Sequence, residues 1–436
     1  MNLNNITRRV RNFFSSENVE WSIMLIADFQ SEDMEQRMKE ILNAMSGLKE
    51  SKKIYFTFFL NGSLKLLKRL ITIPDELKNT NEDYFYTAVF DNSSEVSQVA
   101  KHDLSKAWGM GKLFNIYKNA KPAKYKCLIT WGDGSVYSFF SRKPENSIFQ
   151  KNEINDFLKQ VVDADAYRTF YNNFSNNGRD NSLFSKPYSK YSLSIFELKI
   201  AIEKSLGKMP PGKKQFDITF MQNCGMAYYQ TLITSSFYTR NLIASASRIS
   251  LDTINFSELI NYVTNNTAKV SPDNFAKFIY DKSKGVFTSF TLSNYVKFKR
   301  LINDLGKNFL GLLEIESKVE LIREIRNSYT ELKGSLAFRI IELFELCSIT
   351  LTYENQITPA LKQTCKELLE FKEENKWGDV SIFFPISKDD FQGISLLTLD
   401  QLDLNTVFTK EFLDKHAWDY FIQKYINKVE VIQGYQ

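Results

Sequence analysis

The chain has 436 residues, 43% of them hydrophobic and 25% charged, which supplies a globular core and excludes wholesale disorder. Its 56 Lys and Arg against 51 Asp and Glu leave a formal charge of +5, too mild over this length to mark a nucleic-acid or membrane surface. Cys127, Cys224, Cys347 and Cys365 lie far apart and only His102 and His416 are present, so no Cys/His cluster argues for a metal. No run approaches the ~18 apolar residues of a membrane span. Arg8, Arg9 and Arg11 are followed by Asn-Phe-Phe-Ser-Ser-Glu-Asn, with no apolar h-region or small-residue cleavage site, so the expectation is a cytoplasmic protein with reduced thiols.

After a polar lead-in at 1–20, residues 21–28 form a short apolar run ending on Asp28, the composition of a buried strand. Met34, Met38, Ile41, Leu42 and Met45 recur at helical spacing. A second strand is predicted over 54–60, with Asn61-Gly62 as a hairpin turn and 64–73 as its partner. Further strands are predicted over 84–90 and 125–131, separated by a helix through Leu104, Trp108, Leu113 and Ile116. This alternation of strand and helix predicts a mostly parallel sheet covered on both faces. The interval 138–190 is rich in Asn, Ser and Lys, lacks periodicity and reads as an irregular insertion. A capping-box pattern at Ser194 and Glu197 opens the next helix, and strands follow over 217–221 and 242–245. Beyond about 265 the texture changes to amphipathic helices over 292–313, 317–329, 334–347 and 358–371. A late strand over 380–385 and a last helix over 409–425 complete the series. The organisation expected is therefore a core over 21–264 and a mainly helical region over 265–436.

In a parallel sheet, sites gather where loops converge at the C-terminal strand ends. Two such ends carry chemistry: Trp131-Gly132-Asp133-Gly134 and Gln222-Asn223-Cys224-Gly225. Glycines there let backbone N–H groups face a developing oxyanion, and a cysteine before a helix has its thiolate favoured. Taken alone, a single cysteine is more often a buried apolar residue, and Gly-Asp-Gly more often a plain turn.

Taken in order along the chain, these segments resemble the clostripain family of cysteine peptidases, which share the caspase–haemoglobinase fold. The family's first strand ends in Ala-Asp, as Ala27-Asp28 does here, and its W-x-H-G motif is similar to Trp131-Gly132-Asp133-Gly134. Its leucine-rich helix is matched by Ser194 to Ile202, its D-x-I-x-F-D-A-C by Asp217 to Cys224, and its Y-L-I-A-S-E by the stretch through Leu242 and Ser245. The late motifs G-x-S-I-Y-F-P and W-x-x-F resemble the stretches Gly378 to Pro385 and Trp418 to Phe421. The resemblance implies an α/β/α sandwich with a helical C-terminal region, no cofactor and no metal. It also implies Cys224 as the nucleophile position, Gly134 as the oxyanion-side backbone, and Gln222, Asp28 and Ser245 around the substrate.

Two positions depart from the family pattern. Asp133 stands where the general-base histidine belongs, and a carboxylate with an ordinary pKa of about 3.9 cannot replace imidazole at neutral pH. Gln222 stands where the family's aspartate would hold a basic substrate side chain. Two functions are therefore carried forward: a catalytically silent protein that binds a peptide or protein in the old groove, or a cysteine endopeptidase using Cys224. The sequence names neither the partner nor the oligomeric state.

Overall fold

The structure is a computed structural model that describes residues 19–29, 31–48, 51, 53–102, 104–105, 107–118, 122–132, 134–135, 138–140, 193–207, 209–210, 212–247, 249–250, 252–267, 269–329, 340–384, 417–418, 420–422, 424–426 and 428. At its centre is an eight-stranded sheet. Five parallel strands form the middle, in spatial order β10 (Thr239–Ala244), β9 (Phe216–Gln222), β5 (Ala123–Trp131), β1 (Val19–Phe29) and β2 (Ile54–Ser63). Antiparallel strands extend both edges: β3 (Phe85–Asp91) and β4 (Val96–Ala100) beyond β2, and β11 (Thr288–Thr291) beyond β10.

Strand alternation divides the core in two. Trp21, Ile23, Leu25 and Ala27 of β1 face a cluster built with α1 (Glu35–Ser46), α6 (Phe256–Asn266) and α7 (Pro272–Lys282). Met24 and Ile26 face the opposite cluster, built with α3 (Ala107–Tyr117), α4 (Ile195–Leu206), α5 (Tyr229–Ser235) and α8 (Tyr295–Leu313). Because successive side chains point to opposite faces, a strand apolar at nearly every position must be covered twice. The chain is an α/β/α sandwich with a mostly parallel central sheet and a helical C-terminal region. Among the described residues no helix is long and apolar enough to cross a membrane.

The C-terminal region continues the second cluster through α8, α9 (Val319–Asn327), α10 (Leu343–Thr352) and α11 (Pro359–Asn375). The short antiparallel pair β12 (Ile340–Glu342) and β13 (Ser381–Phe383) brings the late motif inward. Phe384, Phe309, Trp418 and Phe421 then stack mostly edge to face, and the Trp418 indole N–H donates to Phe383 O at 3.1 Å. Gly306 of α8 is where this segment touches: the Asn303 side chain receives the Ala417 amide at 2.9 Å, and a Cβ on Gly306 would overlap the 417–418 backbone.

Several elements differ from the sequence expectation. Asn61 and Gly62 are not a turn but the last stretch of β2, followed by the short helix α2 (Leu64–Leu67), whose cap is the Ser63 hydroxyl. The Asn61 amide is tolerated inside the sheet because it donates to Tyr86 O, Thr87 Oγ1 and His102 O at 2.9–3.1 Å. Residues 340–342, predicted as helix, form β12. Strands β4 and β11 and helices α6 and α7 were not anticipated from sequence. The insertion lies outside the described residues beyond 140, as does the start of the last helix.

The contact at Gly306 sets a test with an internal control. Gly306→Ala should lower the unfolding free energy by about 1–3 kcal/mol through overpacking, read from urea denaturation. Gly311 lies on the same helix with nothing within 4 Å of its missing Cβ. Gly311→Ala should leave stability unchanged or raise it by up to about 1 kcal/mol.

Candidate functional site

The parallel ladder between β5 and β9 ends at Trp131 paired with Gln222, and Gly132 N–H reaches Gln222 O at 3.4 Å. Both chains therefore leave the sheet at the same level. Here β6 (Gly134–Ser135) turns back to pair with β7 (Ser138–Phe139), which in turn pairs with β8 (Leu193–Ser194). Asp133 itself lies outside the described residues, but its two neighbours are described. A Cβ on Gly134 would stand 2.6 Å from Asn223 Cβ and 2.8 Å from Cys224 N, so only glycine lets the turn rest on the cysteine's backbone. Gly132, at φ +152, lies against Asp28, with the space for its Cβ only 3.0 Å from Asp28 Cβ. The two motifs singled out in the sequence thus meet at one sheet edge.

Asn223 is the tie between them. Its fully buried side chain accepts the Thr130 hydroxyl at 2.6 Å and donates to Gly132 O at 3.0 Å. Cys224 is half-buried, and its sulfur meets one peptide unit twice: Ile249 N–H donates to Sγ at 3.4 Å, and Sγ lies 3.6 Å from Ile249 O. The segment after β10 holds this loop by backbone bonds, Gly225 N to Ser247 O and Ala227 N to Ser245 O. Ser245 is buried and its hydroxyl accepts Ser247 N–H at 3.2 Å. Gln222 and Asp28 are also fully buried, one strand-end below the surface. Thr130 and Ile249 were not singled out from sequence, and Asn223 stood within a quoted strand end without a role of its own. A polar residue wedged between an apolar strand and a cysteine was the available signal for Asn223.

Among the described residues no three His, Cys, Asp or Glu side chains gather as a metal site would require. His102 sits at the same sheet edge, over β2 and β3 through its carbonyl bond to Asn61. Two strands, β1 and β5, separate β2 from β9 and Cys224. Burial, with the Lys112 ammonium adding to it, pushes the His102 imidazole down to about 4. The other three thiols are fully buried, and burial drives those of Cys127 and Cys347 well above their ordinary value.

No family model matches the chain, and no curated protein matches it in sequence. Among solved structures it is similar to a secreted C11 cysteine protease from Bacteroides thetaiotaomicron, at 10% identity over 84% of this chain and 89% of that one, with a TM-score of 0.44. It is similar also to an inactive zymogen C11 protease from Parabacteroides distasonis, at 9% identity over 84% and 88% of the two chains, with a TM-score of 0.47.

Two measurements follow from these environments. Native protein should consume one equivalent of an aromatic disulfide reagent, at Cys224, and four after denaturation. Early reaction of Cys127, Cys347 or Cys365 would contradict their burial. His102 stays neutral in the fold down to about pH 4, whereas in the unfolded chain it takes up a proton near its ordinary value of about 6.5. Its contribution is therefore fully present above that value and is lost as pH falls toward 4, by about 3 kcal/mol in total. In urea titrations, the difference between the unmodified chain and His102→Gln should shrink across that window and be flat above pH 7.

Proposed function

We propose that the chain is a clostripain-type peptidase-fold protein, catalytically silent, that holds a peptide or protein partner at the edge formed by the ends of β5 and β9. The observation that carries this reading is Gly134 resting on the Cys224 backbone, which brings the W-x-D-G turn and the cysteine into one constellation. An active member needs an imidazole to accept the thiol proton and to protonate the leaving amine. Aspartate at 133 supplies no imidazole, and a carboxylate beside a thiol would disfavour the thiolate. Loss of a general base costs about 10²–10⁴ in rate. Binding asks less, since a cleft with backbone N–H and C=O groups can pair an extended chain without any proton transfer.

A second reading keeps Cys224 as the nucleophile of a cysteine endopeptidase. It is favoured by the partial exposure of Cys224 and by the Ile249 N–H aimed at its sulfur, a donor that stabilises negative charge there. Gln222 bears on specificity in either case: a neutral amide gives no charge-assisted bond to a Lys or Arg side chain, a bond worth roughly 1.5–3 kcal/mol.

Peptide-library cleavage decides between them. The unmodified chain should cleave nothing detectably, and Asp133→His alone should give weak cleavage without preference for basic residues. Asp133→His with Gln222→Asp should add preference for Lys or Arg, because chemistry and recognition fail at separate positions. Efficient cleavage by the unmodified chain, lost on Cys224→Ala, would establish the endopeptidase instead.

A further inference from the structure

Two of the three buried thiols belong to a single contact, on the consecutive helices α10 and α11. Residues 353–358 join them, and α11 starts abruptly, with Pro359 in its first turn and the Thr358 hydroxyl accepting the Leu361 amide at 3.2 Å. So short a link makes the helices antiparallel neighbours. In such a hairpin, residues equidistant from the link lie at one level. Cys347 stands nine residues before Gln356 and Cys365 nine after it. Both lie on the inward stripes of their helices, with Leu343 and Leu346 on one side and Leu361 and Leu368 on the other. Both are fully buried, and their side chains are hydrogen-bonded to each other. The remaining cysteines lie elsewhere. Cys127 packs in the cluster on the opposite face of the sheet, and Cys224 sits beyond β9 against Ile249.

The geometry points to Cys347 and Cys365 as a disulfide-forming pair, oxidised by a small-molecule disulfide while the chain folds and shielded by the core once it has folded. One cysteine thiolate attacks the small disulfide, breaks its S–S bond and releases one small thiol. The second cysteine then displaces the other small thiol. Two protein S–H bonds become one S–S bond, and the two protons and two electrons leave on the two small thiols. The mixed intermediate needs room that the closed core lacks, and burial pushes the Cys347 thiol up, so the folded chain offers little thiolate. Exchange therefore belongs to the folding chain. Closing the bond brings the sulfurs to about 2 Å, a short step for side chains already in contact, and the link then restricts the unfolded chain. The bridge braces the layer behind the Cys224 loop. Glu342, the cap of α10, accepts the Val380 amide at 3.2 Å, and Ser381 donates to Ala227 O through its backbone and its hydroxyl. A reducing compartment leaves the pair as thiols and an oxidising one closes it.

The test refolds the full chain from urea into a mixture of reduced and oxidised glutathione, with refolding into dithiothreitol as the reference. It is run on Cys224→Ala, so that capping of the half-buried thiol by glutathione does not enter the count. On denaturation the reference should release its three remaining thiols, and the oxidised chain only that of Cys127. A non-reducing digest should join the peptides carrying Cys347 and Cys365, and the urea midpoint should lie above that of the reference. That rise should vanish when Cys347→Ala and Cys365→Ala are added. The folded, reduced chain held in the same glutathione mixture should keep both thiols far longer than the refolding chain takes to lose them. Three thiols after oxidative refolding, a bridge to Cys127, equal rates in the folded and refolding chains, or a midpoint lowered by the bridge would overturn the pairing. If the chain refolds in glutathione only once Cys347→Ala is introduced, the bridge opposes the native fold and the pairing fails as well.

Discussion

The parallel register of β5 on β9, closing with Trp131 beside Gln222, is the constraint from which the site follows. Two segments 91 residues apart leave the sheet at one level because their strands end together. Had the register slipped by one residue, Thr130 and Asn223 would point to opposite faces and could not meet. The apolar alternation along both strands makes such a slip costly. Ile129, Trp131, Ile218 and Phe220 belong to one cluster, and Leu128 and Met221 to the other. Core packing, remote from the chemistry, is what aligns the edge.

Several polar groups are buried at the same end of the sheet. Asp28, Asn61, Thr87, Thr130 and Asn223 are all sealed from solvent. Buried amides and hydroxyls are costly unless hydrogen-bonded, and the Asn side chains here spend their donors on backbone carbonyls or a strand hydroxyl. A sheet end held this way is stiff without being apolar, which suits a surface that must present backbone groups in fixed directions.

Sequence reading reached the central strands because each is a dense apolar run of the right length bounded by polar residues. It singled out the ends of β5 and β9 because glycine and cysteine stand out there. It misjudged Asn61-Gly62, since turn chemistry dominates that dipeptide locally and the three acceptors that hold Asn61 in the sheet come from residues 86, 87 and 102. β4 and β11 are edge strands with few buried positions, so their hydrophobic signal is weak. β12 is three residues long and runs directly into α10, so helical periodicity swallowed it. Thr130 and Asn223 are ordinary residues in the one-dimensional text. Their significance lies in a pairing across 93 positions that no local pattern carries.

The seam at Gly306 bears on how the molecule is made. Asn303 waits for a partner 114 positions later, and the aromatic stack around Phe309 is incomplete until Trp418 and Phe421 arrive. Closing so long a loop is entropically slow compared with local helix formation. During synthesis on the ribosome, α8 must emerge with an apolar groove still uncovered, while the sheet behind it already has all its strands. The loop beyond Cys224 waits as well, because Ala227 O receives its bonds from the Ser381 backbone and hydroxyl, so in order of synthesis the strands precede both the segment that seals α8 and the one that ties down this loop.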